Sequence, residues 1–482
     1  MLPSHAMKMT RSLVFILVLM ACSITVSAQT TPWTLEKCVH YALENNLTIR
    51  EQILNQERLG LSLHQSKMMQ YPTLNSSASH NYNFGRTIDP FTNSYVNQRI
   101  QSNSFSLSSG VTLYNGFRIR RSIEKGVNDI EVNGYRTEVI RNQISLAVVE
   151  AYLQVVFADK QLKIVQQQAA STQAQLERAK AMVDAGRSNK TEYLSLKAQS
   201  ARDKWTIQQA EGNIRLAYVN LMQLMQYSET DSFEIVIPDL TTAQTQPLSQ
   251  LDEIITSGMK TMPDIKVVET QLKSDALSIQ IAEAAIQPRL SAFGTISTLF
   301  SESRQETYNP QTTTIPIGYV DGTLQPVFTQ VTTYDRKTTP FGSQLSDNFG
   351  QAVGLQLSIP IFNNHQVKTQ IEQAKLNLAQ SEIDLERSKN QVRSDIIQSY
   401  TEYQNALASY NAAVEEELAQ RENYLFAQER FEAGLLTSLE LITFKTNWVN
   451  SQTEVERSRF DLIFTNTQVM LYQRGTIMLP SN

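Results

Sequence analysis

Two glutamates occupy matching places in the chain and are the best candidates for an acidic functional site. Glu192 stands six residues after Gly186, and Glu440 stands six residues after Gly434. A glycine that ends one helix places such a glutamate near the start of the next, where the helix dipole favours a carboxylate. On that interpretation both glutamates are ordinary solvated side chains, so any function depends on the elements that position them.

Other chemistry finds little support in the sequence. The five histidines are scattered, and none has zinc-ligand spacing to another histidine or to a cysteine. The chain has no G-x-S-x-G motif and no phosphate-binding loop. A net charge of −5 without a basic block argues against nucleic-acid binding. We therefore expect no enzyme activity, no metal, no cofactor and no nucleic-acid partner, and we interpret serines, glutamates and lysines on helix faces as mostly solvated.

The scarcity of glycine and proline indicates long helices. The chain has 17 glycines and 14 prolines in 482 residues, about half of ordinary usage. No proline lies between Pro90 and Pro238, or between Pro360 and Pro480. Turn-rich sandwiches, propellers and α/β enzymes need more frequent breaks than this, and an apolar content of 41% argues against disorder.

The N-terminus has the pattern of an export signal, which we place at residues 1–28. Two basic residues precede an apolar run, and Val26-Ser27-Ala28 is a small-residue cleavage site. Processing before Cys22 is an alternative, because residues 19–22 loosely resemble a lipoprotein box; we favour cleavage after Ala28. No later stretch has the length of an apolar membrane helix, which leaves a periplasmic protein, a secreted protein or an outer-membrane β-barrel.

The remaining chain is an internal duplication. An offset of 216 residues aligns Pro72 with Pro288, and an offset of 248 aligns Gly186 with Gly434. The change of 32 residues between these offsets places one insertion in the second copy. We assign a first repeat at 33–227, an equatorial linker at 228–250 and a second repeat at 251–473, with β-hairpins at about 74–114 and 290–361, and helical hairpins at 117–227 and 363–473 whose tips lie near residues 186 and 434.

Each repeat contributes two strands with one apolar face. Apolar residues alternate with polar or small residues in three segments, which contain Phe105, Leu107, Val111 and Leu113; Leu290, Ala292, Ile296 and Phe300; and Val353, Leu355, Leu357, Ile359 and Ile361. Strands of about ten residues have the length of a tilted membrane crossing. The insertion, from Tyr308 to Gly342, is rich in Thr, Gln, Pro and Gly, and we expect it to be a long polar loop.

A long helix follows each hairpin. From Ile144 to Val183, apolar or small residues are spaced 4-3-4-3, which is the seam of a coiled coil. The second copy repeats part of this seam from Val392 to Phe431, with interruptions at Glu417 and Gln420. Each long helix would measure about 100 Å at 1.5 Å per residue, and we interpret its aromatic seam residues as packing contacts.

A glycine is expected to end each long helix. Gly186 and Gly434 can adopt the left-handed conformation that closes a helix. We expect Thr191 to cap the returning helix in the first copy, and Thr437 and Ser438 to do so in the second.

The strand count requires more than one copy of the chain. Four strands cannot close a membrane barrel, and an open sheet would leave unpaired edges in lipid. A dimer gives eight strands with an interior filled by side chains, whereas a trimer gives twelve strands and a lumen. A long helical sheath favours a conduit and hence the trimer.

The ordered, duplicated set of motifs resembles the TolC-type outer-membrane efflux protein family. The motifs are the Pro-x-Leu strand starts at residues 72–74 and 288–290 and the tips at 184–188 and 432–437, and the resemblance covers about Trp33 to Gln473. It implies a mainly α fold with membrane β: a homotrimeric 12-stranded outer-membrane β-barrel continued by a 12-helix periplasmic α-barrel. It also implies a passive exit duct of a tripartite efflux pump or type I secretion system, whose partners are a periplasmic adaptor, an inner-membrane transporter and outer-membrane lipid.

The resemblance assigns two functional regions. It places adaptor docking at the tips, on Ala185, Gly186, Ala433, Gly434, Leu435, Leu436 and Thr437. It also implies a periplasmic gate at Glu192 and Glu440, because three copies of Glu440 would form an anionic ring that favours cations. The chain departs from the family at Thr443, where a second acid would stand, and at Arg187 to Lys190, which make the first tip more polar.

One alternative is a structural or adhesive coiled-coil protein of the cell surface without a conducting lumen. It explains the helices but neither the paired apolar strands nor the duplication.

Overall fold

The computed structural model describes residues 32–88, 93–97, 99–187, 189–228, 233–237 and 248–476. The export signal at 1–28 with its alternative site at Cys22, tip residue Ser188 and much of the linker at 228–250 lie outside the described residues.

Helices dominate the described chain. Two short helices open each copy, and a pair of long helices closes it. The helices of the first copy are α1 (Leu35–Asn45), α2 (Leu47–Met68), α3 (Arg118–Asp184) and α4 (Lys190–Met225). Those of the second copy are α5 (Leu251–Thr261), α6 (Pro263–Glu283), α7 (Phe341–Asp347), α8 (Gln366–Glu432) and α9 (Ser438–Arg474). Both α3 and α8 have 67 residues.

The main sheet has four antiparallel strands from both copies. The strands of the first copy are β1 (Thr73–Asn83), β2 (Arg86–Ile88), β3 (Tyr95–Asn97) and β4 (Ile100–Tyr114), and those of the second are β5 (Arg289–Ser301), β6 (Gln305–Tyr319), β7 (Pro326–Thr338) and β8 (Gly350–Ser358). The main sheet has the order β1-β4-β5-β8, while β2 pairs with β3 and β6 pairs with β7. The prediction of two strands per repeat in one sheet is confirmed.

The element boundaries repeat at the two offsets found in the sequence. Helix α1 begins at Leu35 and α5 at Leu251, and strands β1 and β5 begin at Thr73 and Arg289. After the hairpins the larger offset applies, because α3 and α8 begin at Arg118 and Gln366. The insertion therefore lies wholly between β5 and β8.

The insertion that we expected to be a long polar loop at Tyr308–Gly342 has regular secondary structure over most of its length. Residues 305–338 form the antiparallel pair β6 and β7, and residues 341–347 form helix α7. The segment is rich in threonine, valine, isoleucine and tyrosine, which favour extended backbone. Because threonine is also polar, the composition of the segment suggested a loop although it forms strands. A second, smaller difference is that β8 ends at Ser358, so Ile359 and Ile361 lie beyond it, because Pro360 cannot donate to a ladder.

The chain divides into two compact units, each drawn from both repeats. The described residues of Met1–Ile53, Arg136–Asp264 and Lys389–Asn482 form one unit, and Leu54–Tyr135 with Ile265–Ser388 form the other. None of the helices in the described ranges combines the length and apolar character that a bilayer-spanning helix needs.

The core of the first unit lies where α1, α3 and α4 meet. Val148, Val155 and Leu221 are fully buried there, beside the free thiol of Cys38. Trp33 joins Ile235 in a parallel bridge, so that the chain ahead of α1 pairs with the segment after α4. The seam predicted from Ile144 to Val183 is confirmed, because each of its positions is buried or half-buried.

Candidate functional site

The four-stranded sheet separates apolar from polar side chains onto two faces. Its register places on one face Leu74, Tyr82, Phe105, Leu107, Val111, Leu290, Ala292, Ile296, Phe300, Val353, Leu355 and Leu357. The opposite face is mostly serine, threonine, asparagine and glutamine; on it Ser77 and Ser79 lie 2.7 Å from Ser106 and Ser104, respectively, between hydroxyl oxygens. Ile100, Phe293 and Leu299 are large apolar exceptions on the polar face. The polar exceptions on the apolar face are Ser76, His80, Gln101, Asn103, Ser109, Thr298 and Gln351. This is the pattern of a sheet with lipid on one side and water on the other.

Aromatic side chains lie at both ends of the strands. One end carries Tyr82, Phe84, Phe300, Phe341 and Phe349, and the other carries Tyr71, Tyr114, Phe117 and Phe362. Phe341 of α7 packs on Phe300, with ring centroids 5.1 Å apart, and Tyr114 meets Phe117 edge to face at 5.6 Å. Such belts mark the two interfaces of a membrane-crossing band.

The sheet has two open edges. Strand β1 pairs only with β4, and β8 pairs only with β5, among the described strands. On β8 Val353, Leu355 and Leu357 are exposed by 91%, 68% and 60%. An apolar edge of this kind cannot remain unpaired in lipid, because each free backbone group there costs several kcal/mol.

The two helix tips share one turn geometry. Gly186 and Gly434 have φ of 69° and 74°, as predicted. In the second tip Gly434 N donates to Phe431 O at 3.0 Å, and Leu435 N donates to Arg430 O at 2.8 Å. The first tip repeats both bonds, from Gly186 and Arg187. These are the two hydrogen bonds of a Schellman motif, which closes a helix sharply and sends the chain back.

The tips differ in polarity. Leu435 is 70% exposed, and Leu436 packs on the buried cluster of Tyr424, Ala427 and Leu441. At the first tip the corresponding positions are Arg187 and Ser188, so that only the second tip presents leucines.

The returning helices are capped by different residues. Thr437 caps α9 as predicted, but Thr191 does not cap α4: Asn189 does, accepting from Thr191 N at 3.1 Å. Thr191 lies two residues after the cap, inside the helix, and its backbone N–H is the donor. Ser438, also expected to cap, is the first residue inside α9.

Glu440 has a structural partner in Thr437, and the two residues stand at the T-x-x-E spacing that marks a capping box in a sequence. Its carboxylate accepts from Thr437 N at 2.9 Å and from Thr437 Oγ1 at 2.7 Å, while Glu440 N donates to Thr437 Oγ1 at 3.3 Å. This is a capping box. The bonds from the Thr437 backbone and then its hydroxyl lower the pKa of Glu440, so that the side chain is ionised at neutral pH. Glu192 lies in the first turn of α4 and is half-buried.

A buried lysine joins the two repeats near their tips. Lys445 of α9 is only 3% exposed, and its Nζ donates to Gln168 O and to Thr172 Oγ1 of α3, both at 3.1 Å. Burial lowers the pKa of Lys445 to about 8, opposed by the charge of Asp203. Lysines on helix faces were expected to be mostly solvated, which is wrong for Lys445. The repeat alignment does not mark it as buried, because its counterpart Lys197 is exposed.

The interruption of the second seam also has a partner. Glu417 is half-buried, and its Oε1 accepts from Trp448 Nε1 at 2.8 Å. Trp448 stacks on Tyr424 with a centroid distance of 5.2 Å. The carboxylate is therefore tolerated within the seam because the indole satisfies it.

Comparison with known proteins agrees with this geometry. The sequence matches the family described as outer membrane efflux protein over residues 38–225 and 259–462, which is most of the chain. The chain belongs to this family. The two matched segments fall inside the two repeats of the outer membrane efflux protein, one in each.

Individual relatives are distant in sequence and close in fold. The outer membrane protein TolC of Escherichia coli K12 is 23% identical over 130 residues, which is 27% of this chain and only 26% of that protein. The solved structure of CusC superposes with a TM-score of 0.73 at 15% identity, covering 92% of both chains. The CmeC outer membrane channel of Campylobacter jejuni gives a TM-score of 0.68 at 15% identity, covering 93% of this chain and 87% of that one.

Family membership settles the general character of the chain. This outer membrane efflux protein belongs to the outer membrane, with an extension into the periplasm, and it is a transport protein rather than an enzyme. Both expectations are thereby confirmed. The family also favours efflux over the structural or adhesive alternative considered from the sequence.

Proposed function

We propose that this outer membrane efflux protein is the exit duct of a tripartite efflux pump or type I secretion system, and that it conducts passively as a homotrimer. The observation that carries the proposal is the four-stranded sheet with one apolar face and two open edges. Three such sheets give twelve strands, enough for a barrel with a lumen. The polar face, with its serine and asparagine side chains, would then line a water-filled path.

The proposal is tested by oligomeric state and conductance. Purified protein should be a trimer by native mass spectrometry and should conduct ions in planar lipid bilayers, because nothing in the proposed path requires an energy source. A monomer without conductance would contradict the proposal.

We propose further that a periplasmic adaptor docks on the tips, at Ala185, Gly186, Ala433, Gly434, Leu435, Leu436 and Thr437. Supporting this, Leu435 is exposed at a turn whose backbone is fixed by two hydrogen bonds. Leu435→Asp should abolish export from cells that carry the complete pump, and it should leave the conductance of the purified trimer in planar bilayers unchanged. Leu418→Asp, a change at a leucine that is 53% exposed on α8, is the matched control and should export normally.

We also propose that Glu192 and Glu440 form the periplasmic gate. Because Glu440 is also part of a capping box, a test must separate its charge from its role in capping α9. Glu440→Ala would remove a charge and a cap together. Glu440→Gln keeps a capping-box acceptor and removes only the charge. We expect the Gln variant to lower the cation-to-anion permeability ratio, because it removes one negative charge from each copy of the proposed ring.

Thr437→Ala is the complementary control for the gate. It retains the carboxylate but loses the cap, and it should reduce the free energy of unfolding by about 1 kcal/mol with unchanged ion selectivity. Equal selectivity in wild type and Glu440→Gln, measured as reversal potential in a salt gradient, would remove the gate from the proposal.

A further inference from the structure

The insertion forms a two-stranded ribbon, Gln305–Thr338, that pairs with nothing else among the described strands. Its base is held firmly. Thr339 N donates to Arg304 O at 2.9 Å, and the buried Gln344 side chain exchanges two hydrogen bonds, each 3.0 Å, with the backbone of Ser301. The ribbon is therefore a fixed extension of β5 and not a loose loop.

Beyond its base the ribbon is nearly uncharged, and large apolar side chains stand among its threonines and glutamines. A Glu306–Lys337 ion pair of 3.0 Å lies near the base, but between Asn309 and Tyr334 the only charged residue is Asp321. The same segment exposes large apolar side chains, at Ile315, Ile317, Tyr319, Val320, Leu324, Val327, Phe328, Val331 and Tyr334. An exposed surface of this composition indicates a contact surface.

A two-stranded ribbon in water needs a partner to be stable. An isolated hairpin is marginally stable in water, and its two open edges are templates for further pairing. Lipid cannot be the partner, because both edges carry unpaired backbone groups. The ribbon also leaves the sheet at the end where outer-membrane barrels carry their long external loops.

A second copy of this chain is the occupant that the structure favours. The ribbon lies between β5 and the edge strand β8, and in the proposed trimer β8 faces the next copy. A ring of three needs two different complementary edges on each ribbon. The ribbon has them: β7 has no proline from Val327 to Thr338, and β6 offers Gln311–Ile315 between Pro310 and Pro316.

We propose that the ribbons of three copies join edge to edge, the β7 edge of one against the β6 edge of the next, into a collar above the membrane barrel. This proposal depends on the trimer proposed above. The collar would satisfy the free ribbon edges, cover apolar side chains and narrow the external mouth of the duct.

Cross-linking between differently tagged copies tests the collar. One copy carries Thr313→Cys on β6 and the other Thr333→Cys on β7, and both positions are exposed. A short bis-maleimide applied to cells should give a mixed-tag dimer when the two are co-expressed and none when either is expressed alone. The thiol of Cys38 should not compete, because it is buried and burial raises its pKa to about 12.

A shortened ribbon separates the collar from the function of the protein. Tyr308 pairs with Asp335, so an Asn-Gly turn can replace residues 309–334. We expect the shortened protein to form a conducting trimer with larger single-channel conductance. A trimer without mixed-tag cross-links, or with cross-links in the unmixed samples, overturns the collar. A shortened and a full-length chain that both fail to form trimers would instead overturn the proposed duct.

Discussion

Leu355→Arg should remove the trimer from the outer membrane, whereas Gln356→Arg should leave it in place. The two residues are neighbours on β8, but the register pairs Leu355 with Ala292 on the apolar face and Gln356 with Ser291 on the polar face. An arginine on the lipid face of a barrel costs about 2–4 kcal/mol near the bilayer midplane. In the proposed trimer three copies multiply that cost, which makes this the largest effect we expect.

The measurement is the amount of folded trimer in outer-membrane fractions, read from unheated gels. Gln356→Arg controls for the bulk and charge of arginine on the same exposed strand. Equal loss of trimer in both variants would show that the sheet does not separate lipid from water as its register indicates. A normal amount of Leu355→Arg trimer in the outer membrane would also show that this face of the sheet does not contact lipid.

The repeating architecture was predictable from the sequence because it rests on periodicity. Gly186 and Gly434 fix two corresponding helix ends, and the offset between them reproduces the starts of α3 and α8. The strand faces were equally predictable, since alternation has a period of two and one buried or lipid-covered face forces a single register. The apolar parity of Leu290 to Phe300 is the parity that the sheet shows.

The ribbon was not predictable by the same method. Its residues are exposed on both faces, so no alternation of apolar and polar residues marks it as a strand. Threonine is both a polar residue and a strong strand former, and the first property suggested a loop. What forms the ribbon is a long antiparallel register from Gln305 and Thr338 onward, which composition does not report.

The positions of the site residues were predictable, but only some of their partners were. Glu440 lies where the sequence placed it, in the first turn of α9, and its bond to Thr437 is marked in the sequence by the T-x-x-E spacing of a capping box. Asn189 displaced Thr191 as the cap because a cap is set by where the helix begins, and helix starts are uncertain by a residue or two. Lys445 was missed because a lysine at a helix seam is usually solvated at its charged end.

Lys445 supplies the second large effect, a stability that rises with pH. Its pKa is about 8 in the folded protein and 10.5 as a reference value, so between these values the unfolded chain binds a proton that the folded chain does not. The free energy of unfolding must therefore increase from pH 8 to pH 10.5, by up to about 3 kcal/mol per chain from this group. Lys445→Met, which cannot titrate, should lack this increment.

The duplication provides the control for Lys445. Lys197 is its counterpart in the first copy and is exposed, so Lys197→Met should melt in parallel with wild type at every pH. The other side chains are the same in both Met variants except at the two exchanged positions, so the difference between the two variants isolates the buried amine. Thermal unfolding of detergent-solubilised protein at pH 7, 8, 9 and 10 makes the comparison. If the thermal stability of Lys445→Met instead changes with pH as that of wild type does, the Lys445 amine is solvated and does not link α9 to α3 as a buried group.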